Sequence, residues 1–179
     1  IHRSPLCGRN FEYYSEDPLC AGLFAANNVK GVQSQKIAAT IKHFCCNNRE
    51  YNRREADSRL SMRALREIYL KGFEIAIKKA NPWALMTCYN PINGEQGSTN
   101  AEGISGILRE EWGWDGVVMT DWRTYSLLED EVKAGGDVKM PQVVSTVYAK
   151  APKTADPGKM IQKGIIPRDM AIDSARRIL

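Results

Sequence analysis

Three stretches of the chain share one design: a short β-branched or apolar run stops at residues equipped for chemistry. They are Ile37-Ala-Ala-Thr-Ile41 before Lys42-His43, Ala84-Leu-Met-Thr-Cys88 before Tyr89-Asn90, and Val117-Val-Met-Thr120 before Asp121-Trp122. Runs of this length separated by helical patterns read as buried parallel strands. In open α/β sheets and barrels, the loops after the strands' carboxyl ends form the ligand site. The pattern therefore predicts that Lys42, His43, Tyr89, Asp121 and Trp122 converge on one pocket.

The remaining segments fit this frame. Asp17-Pro18 supplies an N-cap and a first-turn proline for a helix running to about Gln33. Residues 45–58 are polar and read as a long functional loop. Ser61 to Lys79 carries an apolar stripe through Leu65, Ile68, Tyr69, Gly72, Phe73 and Ala76, the clearest helix of the chain. Thr99-x-x-Glu102 reads as a capping box opening a further helix, with Ile104, Ile107, Leu108 and Trp112 on its apolar face. A helix around Tyr125 to Ala134, a fourth short strand over Asp137–Met140, a helix near 142–150 and a last helix after Pro167 complete the order. Strand and helix alternate throughout, which implies an α/β fold with a parallel sheet. Four strands are countable where a closed (β/α)8 barrel needs eight and about 250 residues, so the expected architecture is a partial TIM-type barrel. The opening Ile1-His2-Arg3-Ser4-Pro5 is neither a start methionine nor a signal sequence and reads as the middle of a loop. Residues are expected before position 1.

Composition narrows the function classes. Hydrophobic residues make up 43% and charged residues 26%, the balance of a globular domain, and a net charge of +4 from scattered Lys and Arg argues against nucleic acid. No apolar stretch approaches a membrane span. Five cysteines, an odd number with no Cys-x-x-Cys, lean toward a reducing, cytoplasmic setting. With two histidines and no metal-like spacing, neither a metal nor a cofactor is implied, and no glycine-rich phosphate cradle supports a nucleotide enzyme.

Each candidate also has a plain structural role. Asp121 can be a helix N-cap, Lys42 a lysine snorkelling at a sheet edge, His43 a core histidine, and Tyr89 and Trp122 core aromatics. Arg53-Arg54 reads as a solvated pair. Together, however, aromatic faces beside carboxylates and multidentate donors suit a sugar ring, whose C–H faces stack and whose hydroxyls accept charged hydrogen bonds. A carboxylate nucleophile stays ionised when cations stand near it, and Arg9, Lys42 and Arg53 are available.

These residues resemble glycoside hydrolase family 3. The resemblance runs through Arg3-Ser-Pro-Leu-Cys-Gly8-Arg9-Asn10-Phe11-Glu12, Lys42-His43-Phe44 with Asn47-Asn48-Arg49-Glu50-Tyr51-Asn52-Arg53, Met86-Thr-Cys-Tyr89-Asn90, Gly116-Val-Val-Met-Thr-Asp121-Trp122 and Ala134-Gly135-Gly136-Asp137, in order along nearly the whole chain. It is most similar to bacterial β-glucosidases. The resemblance implies a retaining β-glycosidase in which Asp121 attacks the anomeric carbon and a second carboxylic acid protonates the leaving oxygen. It further implies that Arg9, Lys42, His43, Arg53 and Tyr89 hold sugar hydroxyls or orient the nucleophile. Trp122 and Met86 would line the pocket, while Glu12 and Asp17 are read as structural. The family's upstream Asp-Gly-Pro motif has no counterpart here, and its acid commonly comes from a second, α/β-sandwich domain. The isolated 179 residues are therefore expected to be inactive or nearly so. Phe44 is followed by Cys45-Cys46-Asn47, which disfavours the branch with a catalytic histidine in that segment. A β-xylosidase or arabinofuranosidase of the same family, and a non-catalytic carbohydrate-binding remnant, remain the alternatives.

Overall fold

The structure, a computed structural model, describes residues 1–140 and 156–179. The helix expected near 142–150 lies outside the described residues. Helix α1 (Pro18–Ser34) begins as the sequence predicts: the Asp17 carboxylate accepts a hydrogen bond from Cys20 N at 2.6 Å and Pro18 opens the first turn. The helix expected from Ser61 is present as α2 (Met62–Ala64), a π-helical turn over Leu65–Tyr69 and α3 (Lys71–Ala80). In the π turn Leu70 N reaches the Leu65 carbonyl, five residues back, at 2.8 Å. α1 packs on α3 through Gly22 and Gly72. A Cβ on Gly22 would lie 2.7 Å from Ile75 Cβ and 3.0 Å from the Gly72 carbonyl, so only glycine permits this approach.

Strands β1 (Thr40–Phe44), β2 (Ala84–Thr87) and β5 (Val117–Met119) form a parallel three-stranded sheet in the order β1-β2-β5. β3 (Pro91–Ile92) and β4 (Glu95–Gln96) make a small hairpin whose turn uses Asn93 and Gly94 at positive φ. Three expectations are corrected. β1 starts at Thr40 rather than Ile37, because Lys36 turns the chain at positive φ and leaves Ile37 exposed. The expected strand at 137–140 survives only as a single parallel bridge, Val138 to Met119. There the Asp137 carboxylate, not a backbone carbonyl, accepts Val118 N–H at 2.8 Å and so takes the place of a ladder bond. The segment Glu102–Glu111 winds as a π helix, and no capping box opens it. Thr99 Oγ1 donates to the Gln96 carbonyl instead, and the Asn100 side chain accepts from Gly103 N at 2.5 Å. The buried face is the expected one, Ile104, Ile107 and Leu108.

These residues meet Leu85, Val118, Phe44, Leu70 and Trp114 in one core, with Phe44 edge-on to Phe73 at 5.2 Å between ring centres. Helices α4 (Leu128–Lys133), α5 (Pro157–Gln162) and α6 (Arg168–Ile178) follow β5. All five cysteines are unpaired, and no helix among the described residues is long and apolar enough to cross a membrane.

Candidate active site

The carboxyl ends of β1, β2 and β5 deliver the candidate residues to one side of the sheet. Lys42 and His43 are neighbours on a strand, where alternate side chains ordinarily face opposite ways. β1 escapes this by an irregularity. Its pairing with β2 steps from Lys42 opposite Met86 to Phe44 opposite Thr87, so two residues of β1 advance against one of β2. His43 is the residue taken up by that step, and both side chains join the site. Met86 lies between Lys42 and Met119 in the ladder, half-buried on the same rim.

At the centre, Asp121 is 5% exposed. Its Oδ1 accepts from Trp122 N at 2.7 Å, which fixes the carboxylate, while Oδ2 is buried without a hydrogen-bond partner among the described residues. Oδ2 lies 3.5 Å from His43 Nε2. That contact is not an ion pair. Burial, then Arg9 and Lys42, pull the imidazole down to about 3, so it is neutral near pH 7. Arg9 Nη2 stands 3.1 Å from the same Nε2, and a guanidinium can only donate; Nε2 therefore accepts and the ring proton sits on Nδ1. The Tyr13 hydroxyl lies 2.6 Å from Nδ1 and takes that proton as acceptor. His43 is thus locked between Tyr13 and Arg9 and donates no proton to Asp121 Oδ2.

Glu12 joins Arg9 to Lys42: it pairs with Arg9 Nε through one oxygen and with Lys42 Nζ at 2.9 Å through the other. Burial works against its ionisation, but the hydrogen bonds from Arg9 and Lys42 outweigh it and hold Glu12 at about 2. On the opposite flank Arg53 lies over the Tyr89 ring at 4.4 Å and pairs with Glu50 at 2.6 Å. Burial, followed by the charge of Asp121, raises the Tyr89 phenol above its usual range, which places Tyr89 beside the carboxylate. Trp122 is half-exposed at the rim.

Arg9, Lys42, His43, Tyr89 and Asp121 are therefore one cluster, with Arg53, Met86 and Trp122 on its borders. Two participants escaped the sequence reading. Tyr13 sets the histidine tautomer, and an aromatic next to Glu12 in the matched motif was the available signal. Arg54, expected in solvent, stacks on Tyr89 at 4.8 Å and on Tyr125 at 5.1 Å. Asp17 serves only as the α1 cap.

The buried neutral histidine has a measurable consequence. Unfolded His43 takes up a proton near 6.5 and folded His43 only near 3, so the unfolded state binds more protons between these values. Stability is whole above about pH 6.5 and falls as pH drops through the window, by no more than about 2 kcal/mol at pH 5. Glu12 adds a second loss as pH falls from 4.5 toward 2. The urea midpoint of the chain is expected to fall between about pH 7 and pH 5, and His43→Asn to flatten that fall. A midpoint constant over this range contradicts the assignment.

The whole chain, residues 1–179, matches the model of the glycosyl hydrolase family 3 N terminal domain. The chain belongs to that family. Among curated relatives, beta-glucosidase A of Butyrivibrio fibrisolvens is 52% identical over 161 residues, covering 87% of this chain and 19% of that protein. Thermostable beta-glucosidase B of Acetivibrio thermocellus is 44% identical over 160 residues, 89% of this chain and 21% of that one. The structure of beta-glucosidase 3B from Thermotoga neapolitana in complex with alpha-D-glucose matches with a TM-score of 0.93 at 46% identity, over 99% of this chain and 25% of the other. The chain spans about a fifth to a quarter of the length of these relatives. Its fold is TIM-barrel-like, and the described residues supply a parallel sheet with flanking helices rather than a closed barrel.

Proposed function

We propose that this chain is the nucleophile-bearing part of a retaining β-glucosidase, removing terminal β-D-glucosyl residues through a glycosyl-Asp121 intermediate. The observation that carries the reading is Asp121 itself: its Oδ1 is tied to Trp122 N, its Oδ2 is buried without a hydrogen-bond partner among the described residues, and His43, held by Arg9, and Tyr89 lie beside it. An Oδ2 lone pair forms the bond to the anomeric carbon, and the C–O bond to the leaving group breaks with its electrons going to oxygen. A carboxylic acid supplies the proton to that oxygen and then removes one from the water that releases the sugar, so the configuration is retained. Arg9, Lys42, Arg53 and Tyr89 hold the hydroxyls, His43, with both ring nitrogens engaged, orients the nucleophile, and Trp122 and Met86 face the C–H surface.

The acid is assigned to a segment outside the 179 residues. Glu95, Glu110, Glu111, Glu129 and Asp130 have no motif behind them, and the relatives' greater length leaves room for a further domain. The catalytic barrel is likewise completed by residues beyond this chain.

The test is a substrate that needs no acid. A 2-deoxy-2-fluoro-β-glucoside with a dinitrophenolate leaving group departs without protonation, and the fluorine slows release of the sugar from the enzyme. Peptide mass mapping is expected to find the fluoroglucosyl group on Asp121. Reversible sugar binding with no adduct favours the non-catalytic remnant instead. The purified 179-residue chain is expected not to turn over an ordinary alkyl or aryl β-glucoside, and measurable turnover refutes the placement of the acid elsewhere.

A further inference from the structure

We infer that Tyr125 is a stacking platform for the leaving group, a residue that favours β-linked disaccharides over simple alkyl glucosides. The inference rests on the reading of Asp121 as nucleophile and extends it to what lies beyond the scissile bond.

Tyr125 sits on the loop joining β5 to α4, four residues after Asp121. Its two neighbours are turned inward. Thr124 Oγ1 donates to Glu131 Oε1 at 2.9 Å and Ser126 Oγ donates to the same oxygen at 2.5 Å. Lys139 Nζ reaches that carboxylate at 2.8 Å and the Ser126 carbonyl at 2.8 Å, and Ser98 Oγ lies 2.7 Å from Ser126 Oγ. Glu131 is 2% exposed, so this is a buried polar knot beneath the loop. With residues 124 and 126 both anchored below, residue 125 faces outward and is 52% exposed.

The ring is nonetheless held. Arg54 covers one face, its guanidinium carbon 5.1 Å from the ring centre, and Arg54 Nη1 lies 3.5 Å from the Tyr125 hydroxyl. Arg54 itself rests at 4.8 Å on Tyr89, the phenol beside Asp121. Outward from the nucleophile the layers are Tyr89, Arg54 and Tyr125. A large aromatic ring fixed in advance loses little freedom when a ligand meets it, which is what a binding platform requires. A sugar gripped beside Tyr89 and Asp121 sends its leaving group toward solvent along this stack. A pyranose leaving group presents a C–H face to the open side of Tyr125; a methyl group presents none.

The experiment compares two substrates on the hydrolytically competent protein, with its acid-bearing segment present: a β-1,4-linked glucose disaccharide and methyl β-glucoside. Tyr125→Ala is expected to lower the ratio of their kcat/KM values, disaccharide over methyl glucoside, by about fivefold. Tyr125→Phe, which keeps the face and loses only the hydroxyl, is expected to restore the ratio. An unchanged ratio in Tyr125→Ala overturns the inference, and so does an equal loss in Tyr125→Phe. A general disturbance of the loop lowers both substrates alike and leaves the ratio where it was. Failure of the underlying reading is separable, because it shows as no turnover of either substrate before any substitution.

Discussion

Replacing Asp121 by glycine is expected to cut hydrolysis of a β-glucoside by the competent protein on the order of a thousandfold or more, because in the proposed mechanism Asp121 makes the bond to the anomeric carbon. Added azide is expected to restore turnover of a dinitrophenyl β-glucoside and to yield the α-glucosyl azide. The stereochemistry carries the argument. With the carboxylate gone, azide fits the space it leaves and attacks from the same face. A C–N bond forms as the C–O bond breaks, the electrons leave with dinitrophenolate, and a single displacement inverts the centre. Were Asp121 the proton donor instead, the glycosyl-enzyme would still form and azide would replace water in the second step, giving the β-azide. Product analysis by NMR therefore separates the two roles, and a β-glucosyl azide removes Asp121 from the nucleophile position. The Asp121 Oδ2, without a hydrogen-bond partner among the described residues and beside a neutral histidine, motivates the first outcome.

The gathering of the candidate residues was legible from the strand endings because parallel sheets gather their carboxyl ends, and three such endings carried Lys42-His43, Tyr89 and Asp121-Trp122. What the pattern could not supply were contacts between segments far apart in the chain. Tyr13 against His43 and Arg54 between Tyr89 and Tyr125 join segments that no periodicity links. The step in β1 that lets Lys42 and His43 serve one site is a register event, and register depends on the partner strand. Asp17 at α1 was readable because a helix cap is local chemistry. The capping box at Thr99 failed for the complementary reason: the neighbouring Gln96 carbonyl captured the hydroxyl and Asn100 took over the cap. The expected strand at 137–140 is shortened to a bridge: Asp137 N and Val138 N still donate to the Val118 carbonyl, but the Val118 N–H goes to the Asp137 side chain instead of to a backbone carbonyl.

That aspartate is also where the largest loss of stability is expected. Asp137 has a fully buried side chain set against Val118 of β5. Its Oδ2 accepts from Arg109 Nη2 at 2.9 Å and from Val118 N at 2.8 Å, and its Oδ1 accepts from Arg177 Nη1 at 2.9 Å. Arg109 in turn donates to the Trp114 and Gly116 carbonyls, and Arg177 reaches Asp115 at 2.8 Å. One carboxylate thus ties the π helix, β5 and α6 together. Asp137→Ala leaves two poorly hydrated guanidinium groups facing one another and strands a backbone N–H of the central core. Removing one partner of a buried ionic cluster typically costs about 3–5 kcal/mol, since the remaining charges stay buried without compensation. Urea denaturation of the 179-residue chain at neutral pH should report a loss of that size. The exposed Arg63–Glu67 pair provides the contrast: its side chains are 83% and 60% exposed, and Glu67→Ala should change stability by less than about 0.5 kcal/mol. If Asp137→Ala and Glu67→Ala prove equally mild, the cluster does not hold α6 to the sheet, because a tie made through desolvated charges cannot be cut at the cost of a solvated one.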